Sequence, residues 1–200
     1  MAKGNQEHSI GLIVGLGNPG AQYDDTRHNA GFWYVEQLAR AYGASLQPEK
    51  KFFGWTARIT IGGQDVRLLN PSTFMNRSGQ AVGAISTFFK IPPTEILVAH
   101  DELDLPVGVG RLKQGGGHGG HNGLRDIIAA LGNNREFQRF RIGISHPGNS
   151  RDVVNYVLQK PSVADRQRMD AVIDEAVRIT PQLINGTRQK AVQELHTFSG

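Results

Sequence analysis

Residues 13–31 read IVGLGNPGAQYDDTRHNAG: an apolar run ending on glycines, a polar loop, and the start of a different periodicity. The longer run Ser9–Gly17, SIGLIVGLG, is apolar almost throughout, the pattern of a strand covered on both faces. From Asn29 onward Phe32, Val35, Leu38, Ala39 and Tyr42 share one helical stripe, with Asn29 as the expected N-cap and Gly43 as the residue past the helix end. Strand, loop and helix together predict an α/β unit. In open α/β sheets the loop beyond the strand's carboxyl end is where ligands sit, and here it carries Asn18, Arg27, His28 and Asn29.

The rest of the chain extends the pattern. Lys51–Ile61 and Gln64–Leu69 are β-rich and meet at Gly62-Gly63, a hairpin. NPSTFMNRSG leads into a helix with Val82, Ile85 and Phe88 or Phe89 inward, which Pro92 and Pro93 stop. EILVAH (Glu95–His100) is a second buried strand with Asp101 at its end, Val109–Lys113 is a third, and a helix resumes from Asn122 until Gly132. Phe140, Ile142 and Ile144 alternate with Arg139, Arg141 and Gly143, a half-buried strand whose arginines are expected to face outward. After the Pro147-Gly148 turn the pattern is helical: Asp152–Leu158, a long helix with Met169, Val172, Ile173, Ala176 and Val177 inward, and a last one with Val192 and Leu195. The expected fold is one α/β domain over residues 10–200, a twisted mixed sheet with a mostly parallel core and one hairpin, flanked by helices, after a polar flexible tail over residues 1–9.

The sequence has no cysteine, which removes disulfides, a thiolate nucleophile and cysteine-bound zinc, and no apolar stretch long enough to span a bilayer. A cytoplasmic protein is the expectation. Residues 1–110 hold 9 basic and 10 acidic side chains and residues 111–200 hold 13 and 8, so the second part is the basic one. Arg111, Lys113, Arg125, Arg135, Arg139 and Arg141 face only Asp126 and Glu136 in that stretch of sequence, a patch suited either to phosphates or to a solvated face.

Gly15, Gly17 and Gly20 match the spacing of a dinucleotide fingerprint, but Pro19 and the polar AQYDDTRHN stand where an apolar helix should open. A turn that aims side chains is the better reading. His28 is suited to take a proton near neutral pH, and Asp101, at the end of another buried strand, is placed to orient it. No serine or cysteine lies in a nucleophile setting such as G-x-S-x-G, so the attacking group would be water. Asn18, Asn76 and Asn122 stand at turns or helix starts; they either cap helices or converge to hold water and stabilise an oxyanion. GGGHGGHNG (Gly115–Gly123) has six glycines in nine positions, which suggests a mobile lid or a close approach to a ligand. His118 and His121 with His28 or His100 form no metal-ligand spacing, so no metal is expected, and DELDL reads as an acidic loop. Tyr23, Phe74 and Met75 are either core plugs or groove walls.

GLGNPG, TRHNAG, PSTFMN, HDELDLP and GGGHGGHNGL, in this order and spacing, resemble the bacterial-type peptidyl-tRNA hydrolase family from Ile10 to about Phe198. The resemblance implies hydrolysis of the ester between a peptide and the 3′-terminal ribose of tRNA, without metal or organic cofactor. It implies His28 as general base, Asp101 as its supporting carboxylate, and Asn18 and Asn76 as amides at the scissile bond. Asn122, Tyr23 and Met75 become substrate-binding residues, and Lys113 with Arg141 a clamp for the tRNA 5′-phosphate. The partner is then peptidyl-tRNA, met at its acceptor stem and 3′ end by a monomer with no membrane contact. A non-catalytic RNA-binding module is the competing reading from another class.

Overall fold

The computed structural model describes residues 8–200. Seven strands form one sheet: β1 (Leu12–Gly15), β2 (Gln47–Glu49), β3 (Gly54–Ile61), β4 (Gln64–Pro71), β5 (Ile96–Glu102), β6 (Gly110–Gln114) and β7 (Gln138–Gly143), in the order β2-β3-β4-β1-β5-β7-β6. The pairs β4–β1, β1–β5 and β5–β7 are parallel, while β2–β3, β3–β4 and β7–β6 are antiparallel. The mixed sheet with a parallel core and a hairpin is the expected one. Strand β2 was not expected: its three exposed residues carry no apolar signal, and backbone pairing with β3 alone makes it a strand.

Among the described residues six α-helices cover the two faces: α1 (Ala30–Ala41), α2 (Ser78–Phe88), α3 (Asn122–Ala130), α4 (Val153–Val157), α5 (Val163–Ile184) and α6 (Arg188–Thr197). Ile13, Leu97, Ala99, Phe140 and Ile142 point to one core with α1, α5 and α6; Leu12, Val14, Ile96 and Val98 point to the other with α2 and α3. The central β1 is buried on both faces, which is why its sequence shows no alternation. On α2, Phe88 is half exposed and Phe89 packs on the core; on α6, Ala191 and Leu195 are fully buried and Val192 only partly. Of the tail expected over residues 1–9, residues 1–7 lie outside the described part, and Ser9 Oγ is tied to Gln64 Oε1 and the Ile184 carbonyl at 2.7 and 2.8 Å.

Two of the glycines that mimicked a dinucleotide motif have a packing reason: a Cβ on Gly15 would stand 2.3 Å from the Gly31 carbonyl, and one on Gly17 2.8 Å from the Phe32 ring, and Gly31 itself is as tightly enclosed. A Cβ on Gly31 would stand 2.3 Å from the Ala99 carbonyl and 2.5 Å from the Leu16 nitrogen. The first turn of α1 therefore rides directly on the carboxyl ends of β1 and β5, and this contact brings the residue three before it, His28, beside Asp101. Gly31→Ala is expected to destabilise by about 1–3 kcal/mol or more through overpacking against backbone that cannot yield. Gly11→Ala, whose Cβ would meet only ordinary contacts at 3.8 and 3.9 Å, is expected to stay within about 1 kcal/mol of the parent. Urea unfolding of the two variants measures both.

Candidate active site

The carboxyl edge of β1 and β5 assembles the site. Asp101, the sixth residue of β5, is buried, and its carboxylate accepts from two imidazoles. His28 Nδ1 lies 3.0 Å from both Oδ1 and Oδ2, and His121 Nε2 lies 2.8 Å from Oδ1. The rings of the two histidines are 5.0 Å apart. His121 is the N-cap of α3, with Nδ1 accepting from the backbone N–H of Gly123 at 3.2 Å and of Leu124 at 3.5 Å. Those bonds fix its tautomer: Nε2 carries the proton and donates to Asp101. Asn122 is therefore not the cap of this helix. It stands one residue later, exposed, with Oδ1 accepting from Arg125 Nη1 at 3.0 Å.

Burial pushes the Asp101 carboxyl up, but the neighbouring His28 and His121 override it and hold it well below the ordinary carboxylate range. For His28 burial is the largest single influence and disfavours the charged ring. The charge and the hydrogen bond of Asp101 together outweigh it, and the net direction is upward from 6.5. With Nδ1–H given to Asp101, Nε2 is the nitrogen left for chemistry, and His28 lines a groove of about 590 Å³.

Asn18 reaches this groove through a chain of bonds that sequence reading missed. Asn29 is not an N-cap by its side chain; instead its Oδ1 accepts from the Asn18 N–H at 2.9 Å and its Nδ2 donates to the Asn18 carbonyl at 3.0 Å. Asn18 Oδ1 in turn accepts from the Met75 N–H at 2.7 Å. With the oxygen so engaged, the amide group of Asn18 left over is its NH₂, a donor. The same bond brings in the Phe74–Asn76 turn, so Met75 and the exposed Asn76 line the groove beside Asn18. Tyr23 is half-buried and meets Phe74 edge-on at 6.4 Å, outside the groove's immediate lining.

The opposite wall is α4 with the residue after it. Val153, Val154, Val157 and Leu158 line the groove, Val154 being 67% exposed, and Phe74 faces solvent at 58%. Exposed apolar side chains in a concave surface suit a peptide. Arg27 ties this wall to the loop that carries His28: Nη1 donates to the Tyr156 carbonyl at 2.9 Å, and its own N–H to the Gln159 carbonyl at 3.1 Å.

The basic face lies elsewhere. Register pairs Arg111 with Arg141 and Lys113 with Arg139, and alternation puts all four on one face of the β6–β7 ribbon. Lys113 is exposed at the end of β6; Arg141 is half-buried with Nη1 3.7 Å from Glu102 Oε1. Lys113 and Arg141 are therefore diagonal neighbours. The expectation that Arg139 faces outward fails: it is 2% exposed, because the glycine loop folds over it and offers carbonyls to its guanidinium.

His28, Asp101 and His121 are the group among the described residues whose ligand atoms, all within 4.8 Å of one another, could hold a metal ion. The fold thus supplies the convergence that sequence spacing did not. His28 Nδ1, His121 Nε2 and the Asp101 carboxylate are already joined to one another by hydrogen bonds. His118 stays apart, its Nδ1 accepting from the Gly120 N–H at 2.9 Å.

A family model described as peptidyl-tRNA hydrolase matches residues 12–199. The peptidyl-tRNA hydrolase of Shewanella halifaxensis is 62% identical over 190 residues, 95% of this chain and 98% of that protein. That of Haemophilus influenzae is 59% identical over 189 residues, 94% and 97% of the two chains. The crystal structure of peptidyl-tRNA hydrolase from Acinetobacter baumannii superposes with a TM-score of 0.93 at 50% identity, covering 98% of this chain and 99% of that one. Sequence and fold agree over residues 12–199: the chain belongs to the peptidyl-tRNA hydrolase family.

Proposed function

We propose that this member of the family hydrolyses peptidyl-tRNA by attack of a water molecule that His28 deprotonates. The observation that carries the reading is the orientation of His28, whose Nδ1 is held by Asp101 while the ring lines the apolar-walled groove. Water would attack the ester carbonyl carbon and pass its proton to His28 Nε2. The developing oxyanion would take hydrogen bonds from the Asn18 and Asn76 amides. Collapse of the tetrahedral intermediate would break the bond to the ribose oxygen, which recovers the proton from His28. The products are a peptide with a free carboxyl group and tRNA with a free 3′ end.

In this reading Asn122, Met75 and Tyr23 bind the substrate near its 3′ end, and the apolar wall of α4 receives the peptide. Lys113 and Arg141 bind the tRNA 5′-phosphate. The protein works as a monomer in the cytoplasm and needs no metal or organic cofactor.

The central test is release of peptide from peptidyl-tRNA, with a chelator present and nothing added, alongside free aminoacyl-tRNA. Peptide release from the first substrate alone is the expected result; binding of tRNA without release would favour a non-catalytic module. His28→Ala is expected to lose roughly 10²- to 10⁴-fold in kcat while still binding tRNA, and near-normal turnover by that variant would sink the assignment.

The pH profile follows from the electrostatics. A base must be deprotonated to act, so the acidic limb of kcat/KM is expected above pH 6.5, where Asp101 places the titration of His28. In Asp101→Asn the raising influence is gone and burial is left, so the residual activity should show its limb shifted below pH 6.5. A limb that stays put would mean that another group titrates. Lys113→Ala and Arg141→Ala are each expected to raise KM and reduce the salt slope of binding by about one counterion; measured slopes equal to that of the parent would return the basic face to ordinary solvated charge.

A further inference from the structure

The mechanism above leaves one charged and nearly inaccessible side chain without a task. Arg139 is 2% exposed, with its Cζ 4.6 Å from the centre of the Phe137 ring. Its Nη2 donates to the Gly116 carbonyl at 2.5 Å and its Nη1 to the Gly117 carbonyl, while Nε is buried and has no partner. Among the described residues no carboxylate pairs with it. Burial disfavours its charge, Arg141 and Arg135 add to that, and Glu102 relieves it only in part. A buried cation in a cationic neighbourhood is a poor way to stabilise a fold, since an apolar residue of similar size does better.

What Arg139 touches gives the reason. The glycine loop leaves β6 at the amino end of β7, where the Gly115 N–H donates to the Phe137 carbonyl at 3.1 Å. It must come back along the ribbon to the carboxyl edge, where His121 meets Asp101. Gly117, Gly119 and Gly120 have nothing within 4 Å of a Cβ position, so packing does not fix the path between. Apart from the short bonds of His118 within the loop, the fork of Arg139 is the side-chain tie between sheet and loop on this stretch. At the near end Gly116, with φ of +99°, has Lys113 Nζ 2.8 Å from where its Cβ would be, so the ammonium lies against the anchored turn.

We propose that Arg139 is a positioning residue for the hydrolysis: it holds the glycine loop on the path that presents Lys113 at one end and His121 with Asn122 at the other to a single substrate. This rests on the hydrolase reading and adds a link between its two halves. Phosphate binding at Lys113 and organisation of the groove around Asp101 are then coupled through the loop.

The test uses the full chain with Arg139→Gln, Arg139→Lys, Lys113→Ala and the double variant Lys113→Ala/Arg139→Gln. Each is assayed, at a temperature where melting curves show it folded, on peptidyl-tRNA and on an N-acetylaminoacyl ester of adenosine, which has no 5′-phosphate. Arg139→Gln is expected to lose about 10- to 100-fold in kcat/KM on both substrates, the scale of a small misplacement. Arg139→Lys, which keeps the charge but not the fork, should recover part of it. In the double variant the cost of Lys113→Ala on peptidyl-tRNA should shrink, since the loop that seats Lys113 is already loose. Unchanged kcat/KM for Arg139→Gln on both substrates, or an undiminished Lys113→Ala effect in the double variant, would overturn the proposal and leave Arg139 a structural residue. Should Arg139→Gln not fold, parental activity of Arg139→Lys on both substrates would overturn it equally. A parent protein that releases no peptide fails the hydrolase reading instead, and is recognised before any variant is compared.

Discussion

A carboxylate as deeply buried as Asp101 stays ionised only where several donors surround it, because the cost of removing such a charge from water is several kcal/mol. Two imidazoles provide those donors, and neither is free to turn. His28 is set by the contact of α1 with the ends of β1 and β5. His121 is set by the first N–H groups of α3, which need an acceptor and find it in Nδ1. One ring thus answers two demands, the unsatisfied donors of a helix start and the unsatisfied acceptors of a buried acid. The orientation of His28, and with it the direction in which Nε2 can act, is a consequence of that arrangement.

The sheet and its reactive edge were legible because periodicity reports burial. The continuous apolar run of β1, the stripe of α1 and the buried β5 ending on Asp101 place His28 and Asp101 at neighbouring strand ends before any distance is known. What sequence could not show were partners chosen in space. Asn29 has the chemistry of an N-cap, yet its amide clasps the backbone of Asn18, because the sharp turn over Gly31 leaves that backbone facing it. In sequence His121 reads, with His118, as part of a glycine loop; its imidazole becomes fixed only because it caps α3. Alternation gives the face of Arg139 but not its burial, since it says which way a side chain points and not what covers it.

Strand direction explains why the chemical and the basic parts of the molecule are separate. Asp101 stands level with Ile142 on β7, while Lys113 stands level with Arg139, three residues nearer the amino end and on the far side of β7. At about 3.3 Å per residue along a strand and about 4.8 Å between strands, the two lie roughly 14 Å apart in the plane of the sheet. An isolated aminoacyl ester that places its carbonyl at His28 leaves the cations untouched. A ligand that reaches both must be extended and anionic beyond its ester, which is the shape of a nucleic acid carrying an acyl group at one end. The glycine loop spans the same interval on the protein side, where it covers Arg139 and leaves Lys113 exposed and Arg141 half-buried. Under the proposed function, selection for tRNA esters over simple ones would come from geometry, because a centre at His28 and a phosphate site at Lys113 and Arg141 could be satisfied together only by a molecule long enough to cover both.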